Sequence, residues 1–236
     1  MTADSEDLRV LYDHRFGAEE VQRTDLWQVL CRKFFQKWVP HDATVLDVAA
    51  GHCEFINNIE AGRRLAVDLN PDVLTRAADG VEAHVARSDA MTPIASASVD
   101  RVFISNFFEH VTREVIVSTL LEVKRVLRPD GKLLVLQPNV RYCARDYWMF
   151  FDHITPIDDR ALAEALETTG FDVELNIPRF LPYTTKSRLP SGPGLVGLYL
   201  KLPLAWRFLG AQAFMVGSPQ ATARGARPGR PASPRG

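Results

Sequence analysis

Val45-Leu46-Asp47-Val48-Ala49-Ala50-Gly51-His52-Cys53-Glu54 begins as an apolar run and ends in a turn of small residues. With Ala43 and Thr44, its first half reads as a strand buried on both faces of a sheet, over residues 43–48. Gly51 gives the turn its least restricted backbone position, so that main chain can approach a ligand closely.

Similar short apolar runs recur downstream at residues 65–69, 83–86, 102–105 and 133–137. Helical patterns separate them. The clearest spans residues 113–128, where Ile116, Leu120, Val123 and Leu127 form one stripe that Pro129-Asp130-Gly131 breaks. Another covers residues 157–169, with Leu162 and Leu166 on one side and Gly170 as C-terminal cap. Phe171, Val173, Leu175 and Ile177 then alternate with polar residues, as in a half-exposed strand. Upstream, Leu26, Leu30, Phe34 and Trp38 recur every four positions, which predicts an N-terminal helix over residues 17–38 ended by Pro40. Strands alternating with helices predict the α/β class, a doubly wound, mostly parallel sheet covered on both faces.

Hydrophobic residues make up 46% and charged ones 24% of the chain, the composition of an ordinary globular protein. A formal net charge of -1 supplies no field that would attract nucleic acid, so no nucleic-acid partner is expected. Cys31, Cys53 and Cys143 lie far apart in no metal-type spacing, so neither a disulfide framework nor a metal site is expected. The first thirty residues carry charges throughout and no apolar core, and a cytoplasmic location is expected. Residues 178–210 depart from the strand–helix rhythm and read as an insertion or lid. Residues 218–236 hold four arginines, four prolines and no acid, and read as a disordered tail.

In a doubly wound sheet, ligands bind beyond the carboxyl ends of the strands. Three acids stand at successive strand ends here: Asp47, Asp68 and Asp89. Asp68 follows the first turn at the distance from which a carboxylate accepts both hydroxyls of a ribose. Asp89 is suited to accept from an exocyclic amine such as that of adenine. The fourth strand opens into Ser105-Asn106-Phe107-Phe108-Glu109-His110.

Val45-Leu46-Asp47 with Gly51, Ala66-Val67-Asp68-Leu69-Asn70-Pro71, and Leu121 to Asn139 with Glu122, Arg125-Val126-Leu127, Pro129-Asp130-Gly131 and Pro138-Asn139 carry a resemblance. In this order and spacing the chain resembles the class I S-adenosylmethionine-dependent methyltransferases of the small-molecule, type-11-like branch, over residues 43–177. The resemblance implies a seven-stranded Rossmann-like sheet closed by a last strand at residues 211–217, in a single domain spanning residues 1–217. It implies S-adenosyl-L-methionine as cofactor. Asp47, Ala49 and Gly51 would border the methionine part, Asp68 would hold the ribose, and Leu69 and Asn70 would flank the adenine. Asp89 and Ala90 would read the adenine edge, and Asn106 would lie beneath the methionine part. One departure stands out: the three alternating glycines of that family's turn are Ala49, Gly51 and Cys53 here.

The methyl group of a sulfonium is already activated, so alignment with a nucleophile dominates, and a hydroxyl acceptor gains further from a base. His110 and His153 are the candidate catalytic residues, and Tyr147, Trp148 and Asp152 are candidate substrate contacts in the loop after the fifth strand. The implied activity is methyl transfer to oxygen or nitrogen of a small-molecule, sugar or lipid-linked acceptor, with peripheral membrane contact through residues 178–210. Two other readings follow from the same residues: a non-catalytic cofactor-binding protein, and an NAD-dependent oxidoreductase. The turn lacks the glycine pattern that admits a pyrophosphate, which disfavours the latter.

Overall fold

The computed structural model describes residues 20–183 and 192–221. Part of the expected insertion (residues 184–191), the start of the expected N-terminal helix (residues 17–19) and residues 222–236 of the expected tail lie outside the described residues. Seven strands form one sheet: β1 (Thr44–Val48), β2 (Arg63–Asp68), β3 (Val81–Val85), β4 (Val99–Ser105), β5 (Leu127–Pro138), β6 (Phe171–Leu181) and β7 (Gln212–Pro219). Their order is β3-β2-β1-β4-β5-β7-β6. All neighbours are parallel except β7, which runs antiparallel to both β5 and β6. From β1 the chain winds outward through β2 and β3, then returns to β4 on the other side. The switch point therefore lies at the carboxyl ends of β1 and β4, where such sheets open a crevice.

The helices are α1 (Glu20–Lys33), α2 (Glu54–Asn58), α3 (Val73–Arg76), α4 (Arg113–Val126), α5 (Val140–Tyr147), α6 (Asp159–Thr168), α7 (Pro193–Leu200) and α8 (Pro203–Leu209). One face of the sheet packs against α1 and α2 through Leu30, Phe34, Phe35, Phe55, Phe103, Phe180 and Phe214. Phe55 and Phe103 stack with ring centroids 3.8 Å apart. The other face carries Val48, Val102, Ile104 and Val135 against Ile116, Leu120 and Val123 of α4 and Leu162 and Leu166 of α6. Burying one such side chain stabilises the fold by about 1.5–3 kcal/mol, so these two layers hold the strand tips in place.

Several boundaries differ from the sequence reading. The N-terminal helix stops at Lys33, and Phe35–Trp38 is a separate 3-10 turn that directs Phe35 into the core. Leu127 leaves α4 with an extended backbone (φ -66°, ψ 141°) and starts β5 six residues before the expected strand. A register shift between Val99 and Arg101 absorbs the extra length. Gly131 gives room there: a Cβ would fall 2.8 Å from the end of the Leu127 side chain, 3.0 Å from Arg128 O and 3.2 Å from Asp100 O. β6 runs four residues past Ile177, so the connection to β7 begins after Leu181. Gly170 takes φ +86° and donates its N–H to Glu167 O, the left-handed helix stop expected of it.

Within that connection, α7 packs on α1, and α8 packs on β6. No helix among the described residues is long and apolar enough to cross a membrane.

Candidate active site

The turn after β1 places Ala49, Gly51 and Cys53 at φ 55°, 53° and 58°. These left-handed positions coincide with the three alternating glycines of the resembled family. A non-glycine residue there costs roughly 1–2 kcal/mol, so the turn is held by its surroundings rather than by local preference. Asp68 is one such restraint. Its Oδ2 accepts from Gly51 N at 2.8 Å and its Oδ1 from Asn70 N at 2.7 Å, tying the β1 turn to the tip of β2. Cys53 does not point its thiol at the crevice. It is fully buried in the aromatic core layer, and burial first, then the Asp47 charge, pushes the thiol up to about 12.

Asp47 is only 3% exposed, behind the turn. Burial, then the neighbouring Asp68 charge, raises its carboxyl well above the ordinary range, while the Ile56 backbone hydrogen bond works the other way. Burial also raises Asp68, against the N–H groups of Asn70 and Gly51. The raised folded-state value for Asp47 fixes the sign of a stability effect. The penalty is absent below the unfolded value of about 3.9 and grows as pH rises towards the folded value. Asp47→Asn should therefore be more stable than the parent at pH 7, by roughly 1 kcal/mol, the size usual for relieving a functional-site compromise. That is about 2–4 °C in Tm for a chain of this length. Melts at pH 7 and below pH 4 check it: the gain should vanish in acid, and a gain of equal size at both pH values would contradict the cause.

The remaining donor-side residues divide. Leu69 is 44% exposed beside the crevice, and Ala90 is also exposed. Asn70 is buried, and its side-chain oxygen accepts from Asp72 N at 3.0 Å, which shapes the turn before α3. Asp89 holds the Arg87 guanidinium through two bonds of 2.9 and 2.8 Å, and that hydrogen-bonded partner keeps its carboxyl below the usual range. Asn106 sits exposed at the tip of β4 in the left-handed region (φ 47°), which asparagine tolerates. Glu122 accepts from Met91 N, and Arg125 donates to the carbonyls of Met91 and Ile94, clamping the segment after Asp89.

The loops after β4 and β5 meet in a second cluster. Ile154 N and Thr155 N both donate to the Glu109 carbonyl, closing the later loop over the 3-10 turn Phe108–His110. His110 Nδ1 lies 3.0 Å from Asp152 Oδ2, and its Nε2 lies 3.7 Å from Glu109 Oε1. The rings of His110 and His153 are 4.9 Å apart at 76°. His110, His153 and Asp152 are thus brought together on the loops after β4 and β5, as Asp47, Gly51 and Asp68 are around the ends of β1 and β2. Trp148 is exposed at 56% beside them.

Tyr147 corrects the expectation that it meets substrate. A helix, α5, forms where a loop was expected, and it turns Tyr147 inward. The ring is fully buried, its hydroxyl donates to Thr155 O at 2.5 Å, and it packs edge-on against His153. Two residues were missed. Glu109 is 1% exposed, and Gln137 near the end of β5 donates to its Oε2 at 2.7 Å. A polar residue directly after the apolar run at residues 133–136 is the signal that would have found Gln137. Asn139, also buried, donates to Asp159 Oδ1 and to Pro178 O and accepts from Arg141 N, anchoring the start of α5.

Residues 46–135 match the family model of a methyltransferase domain, a segment that includes the β1 turn, Asp68, Asp89 and Asn106. Among solved structures, the chain is similar to an S-adenosylmethionine-dependent methyltransferase from Archaeoglobus fulgidus at 19% identity. The match covers 88% of this chain and 100% of that one, with a TM-score of 0.64. It is similar to a methyltransferase from Haloferax volcanii, solved with the Trm112 methyltransferase activator, at 17% identity. Here the coverage is 92% and 99%, and the TM-score is 0.66. A geranyl diphosphate C-methyltransferase from Streptomyces coelicolor A3(2) is 14% identical over 93% of this chain and 87% of that one, with a TM-score of 0.54. Comparison with curated proteins gave no match. The fold is that of the S-adenosylmethionine-dependent methyltransferases. The domain match and this fold together support a class I, type-11-like methyltransferase with S-adenosylmethionine as cofactor. The residues fit that cofactor: a left-handed turn allows close backbone approach, and a part-buried carboxylate at the β2 tip stands beside an exposed apolar Leu69.

Proposed function

We propose that the chain transfers a methyl group to a hydroxyl oxygen, or to an amine nitrogen, of a partly apolar small-molecule or lipid-linked acceptor. The donor lies over the β1 turn, with Asp68 on the ribose and Leu69 and Ala90 beside the adenine. Asp89 stays paired with Arg87 and accepts from the adenine edge through a remaining lone pair. Asp47 and the Ala49–Gly51 backbone border the methionine part, with Asn106 beneath it. The cofactor supplies an activated methyl carbon; the sulfur keeps the electron pair as the new bond forms, and the acceptor's proton must leave.

One observation carries the acceptor side: Glu109, His110, Asp152 and His153 converge on the same loop that carries Asn106. Asn106 and His110 are four positions apart, so their Cα atoms cannot be more than about 14 Å apart. Asp152 orients the His110 imidazole, which faces the nucleophile and draws off its proton. Exposed Trp148, Met149 and Phe151 supply an apolar wall. At the same end of the sheet, Leu204 and Phe208 of α8 are 70% and 69% exposed near Lys201 and Arg207, which supports an acceptor presented at an anionic lipid surface.

Calorimetry with S-adenosylhomocysteine and with NAD, followed by incubation with methyl-labelled donor and cell extract, tests this. Binding of the first compound alone, and label in a small-molecule or lipid fraction, is expected. Binding of NAD alone, or of neither compound, removes the reading.

A further inference from the structure

The geometry points to a binding site for one divalent cation of the zinc type, held by Glu109, His110 and His153, with an open position for an oxygen of the acceptor. Among the described residues, these three each offer a ligand atom, and the atoms all lie within 4.8 Å of one another. Two histidine nitrogens and one carboxylate oxygen make up the donor set of open zinc sites, which keep a further position for water or substrate. Such a set suits zinc, cobalt or iron better than magnesium or calcium.

The surroundings match that use. The Asp152 carboxylate at His110 Nδ1 assigns a proton to that nitrogen and turns the Nε2 lone pair towards Glu109. A carboxylate behind a ligating histidine is the usual orienting partner of a metal-bound imidazole. Glu109 Oε2 is held by Gln137 at 2.7 Å, which aims Oε1 at the same point. His153 is gripped by the rings of Tyr147 and Phe150, at centroid distances of 4.7 and 5.1 Å. Ligand atoms on one tetrahedral ion stand about 3.3–3.6 Å apart, close to the 3.7 Å between His110 Nε2 and Glu109 Oε1. Side-chain rotations of about 1 Å bring the widest pair into range.

Charge argues the same way. Glu109 is buried, and its nearest cationic candidate is His110, beyond hydrogen-bond distance at 3.7 Å. A divalent ion would answer the Glu109 carboxylate and take a lone pair from each imidazole at once. His110 keeps 22% of its side chain exposed, so the cluster is open to solvent on its side.

The cation site stands on this cluster alone. Its use, holding an acceptor oxygen and lowering its proton affinity, rests on the methyl-transfer reading. In the loaded state the ion takes over the proton-withdrawing task otherwise given to the His110 ring.

The test uses the full untagged chain, stripped with chelator and titrated with Zn2+ by calorimetry and with Co2+ by visible absorption. One equivalent per chain is expected, with a Co2+ spectrum of low coordination number. Glu109→Gln and His153→Ala should each weaken binding more than tenfold. Asp152→Asn, which leaves the ligands in place, should weaken it about 10–100-fold at unchanged stoichiometry. His153→Ala risks loosening the loop, so the nearly isosteric Glu109→Gln, checked by its melt, is decisive. No saturable binding at millimolar ion, or parent-like binding by folded Glu109→Gln, overturns the site. S-adenosylhomocysteine binding is measured separately, so failure of the cation site and failure of the methyl-transfer reading give different results.

Discussion

Asp68→Ala is expected to weaken S-adenosylhomocysteine binding by about 2–4 kcal/mol, roughly 30- to 700-fold, while the fold persists. A lost ribose contact alone would account for about 1.5–3 kcal/mol, the worth of a hydrogen bond to a charged group. The further loss comes from the two backbone donors that Asp68 holds, Gly51 N and Asn70 N. Without the carboxylate they lose their partner, and the strained turn relaxes from the shape the ligand needs. Asp89→Ala should cost much less, because Asp89 already pairs with a half-exposed Arg87 and shapes no strained turn. Asp68→Asn separates the two effects: the amide still accepts from one N–H but presents its NH2 to the other. Because burial raises Asp68, donor affinity should fall on acidification at a higher pH than an ordinary carboxylate would give. Calorimetry across pH reads both. Parent-like affinity in a folded Asp68→Ala chain would remove Asp68 from the donor site.

That residue was readable from sequence for a physical reason. Strands buried on both faces read as short apolar runs, and an acid that ends such a run has only the strand tip to occupy. The same logic placed the small-residue turn directly after β1, and α4 followed from its stripe of Ile116, Leu120 and Val123. What sequence hid was long-range. Nothing in residues 212–219 announces that β7 inserts between β5 and β6 in the opposite direction, since that is settled by sheet closure. Tyr147 and Trp148 look alike in sequence, yet α5 turns the first fully inward and leaves the second at 56% exposure. Glu109 stayed hidden because its neighbours Phe107, Phe108 and His110 read as an ordinary loop, and its partner Gln137 is 28 residues away. The pairing of Asp89 with Arg87 forms inside the tight turn at residues 87–90, which Ala90 N closes on Arg87 O.

His110→Ala should lower kcat by about 10²–10⁴-fold for a hydroxyl acceptor and leave S-adenosylhomocysteine affinity unchanged. The split follows from where the residue stands. Asp68 and the turn hold the donor, whereas His110, Asp152 and Glu109 lie on the loops after β4 and β5. Alignment of two bound reactants can supply about 7–11 kcal/mol of the barrier reduction, and proton withdrawal only about 3–5 kcal/mol. The variant should therefore stay measurably active, because the larger contribution survives. Asp152→Asn keeps the imidazole but weakens its orientation, so its loss in kcat should be smaller than that of His110→Ala. A residue serving only to pack the loop would behave otherwise: His110→Ala would lower Tm and leave kcat near the parent value. The size of the loss also separates acceptor atoms. An amine enters as its neutral form and needs little help with its proton, so a fall of less than about tenfold, with the fold intact, would move the acceptor from oxygen to nitrogen.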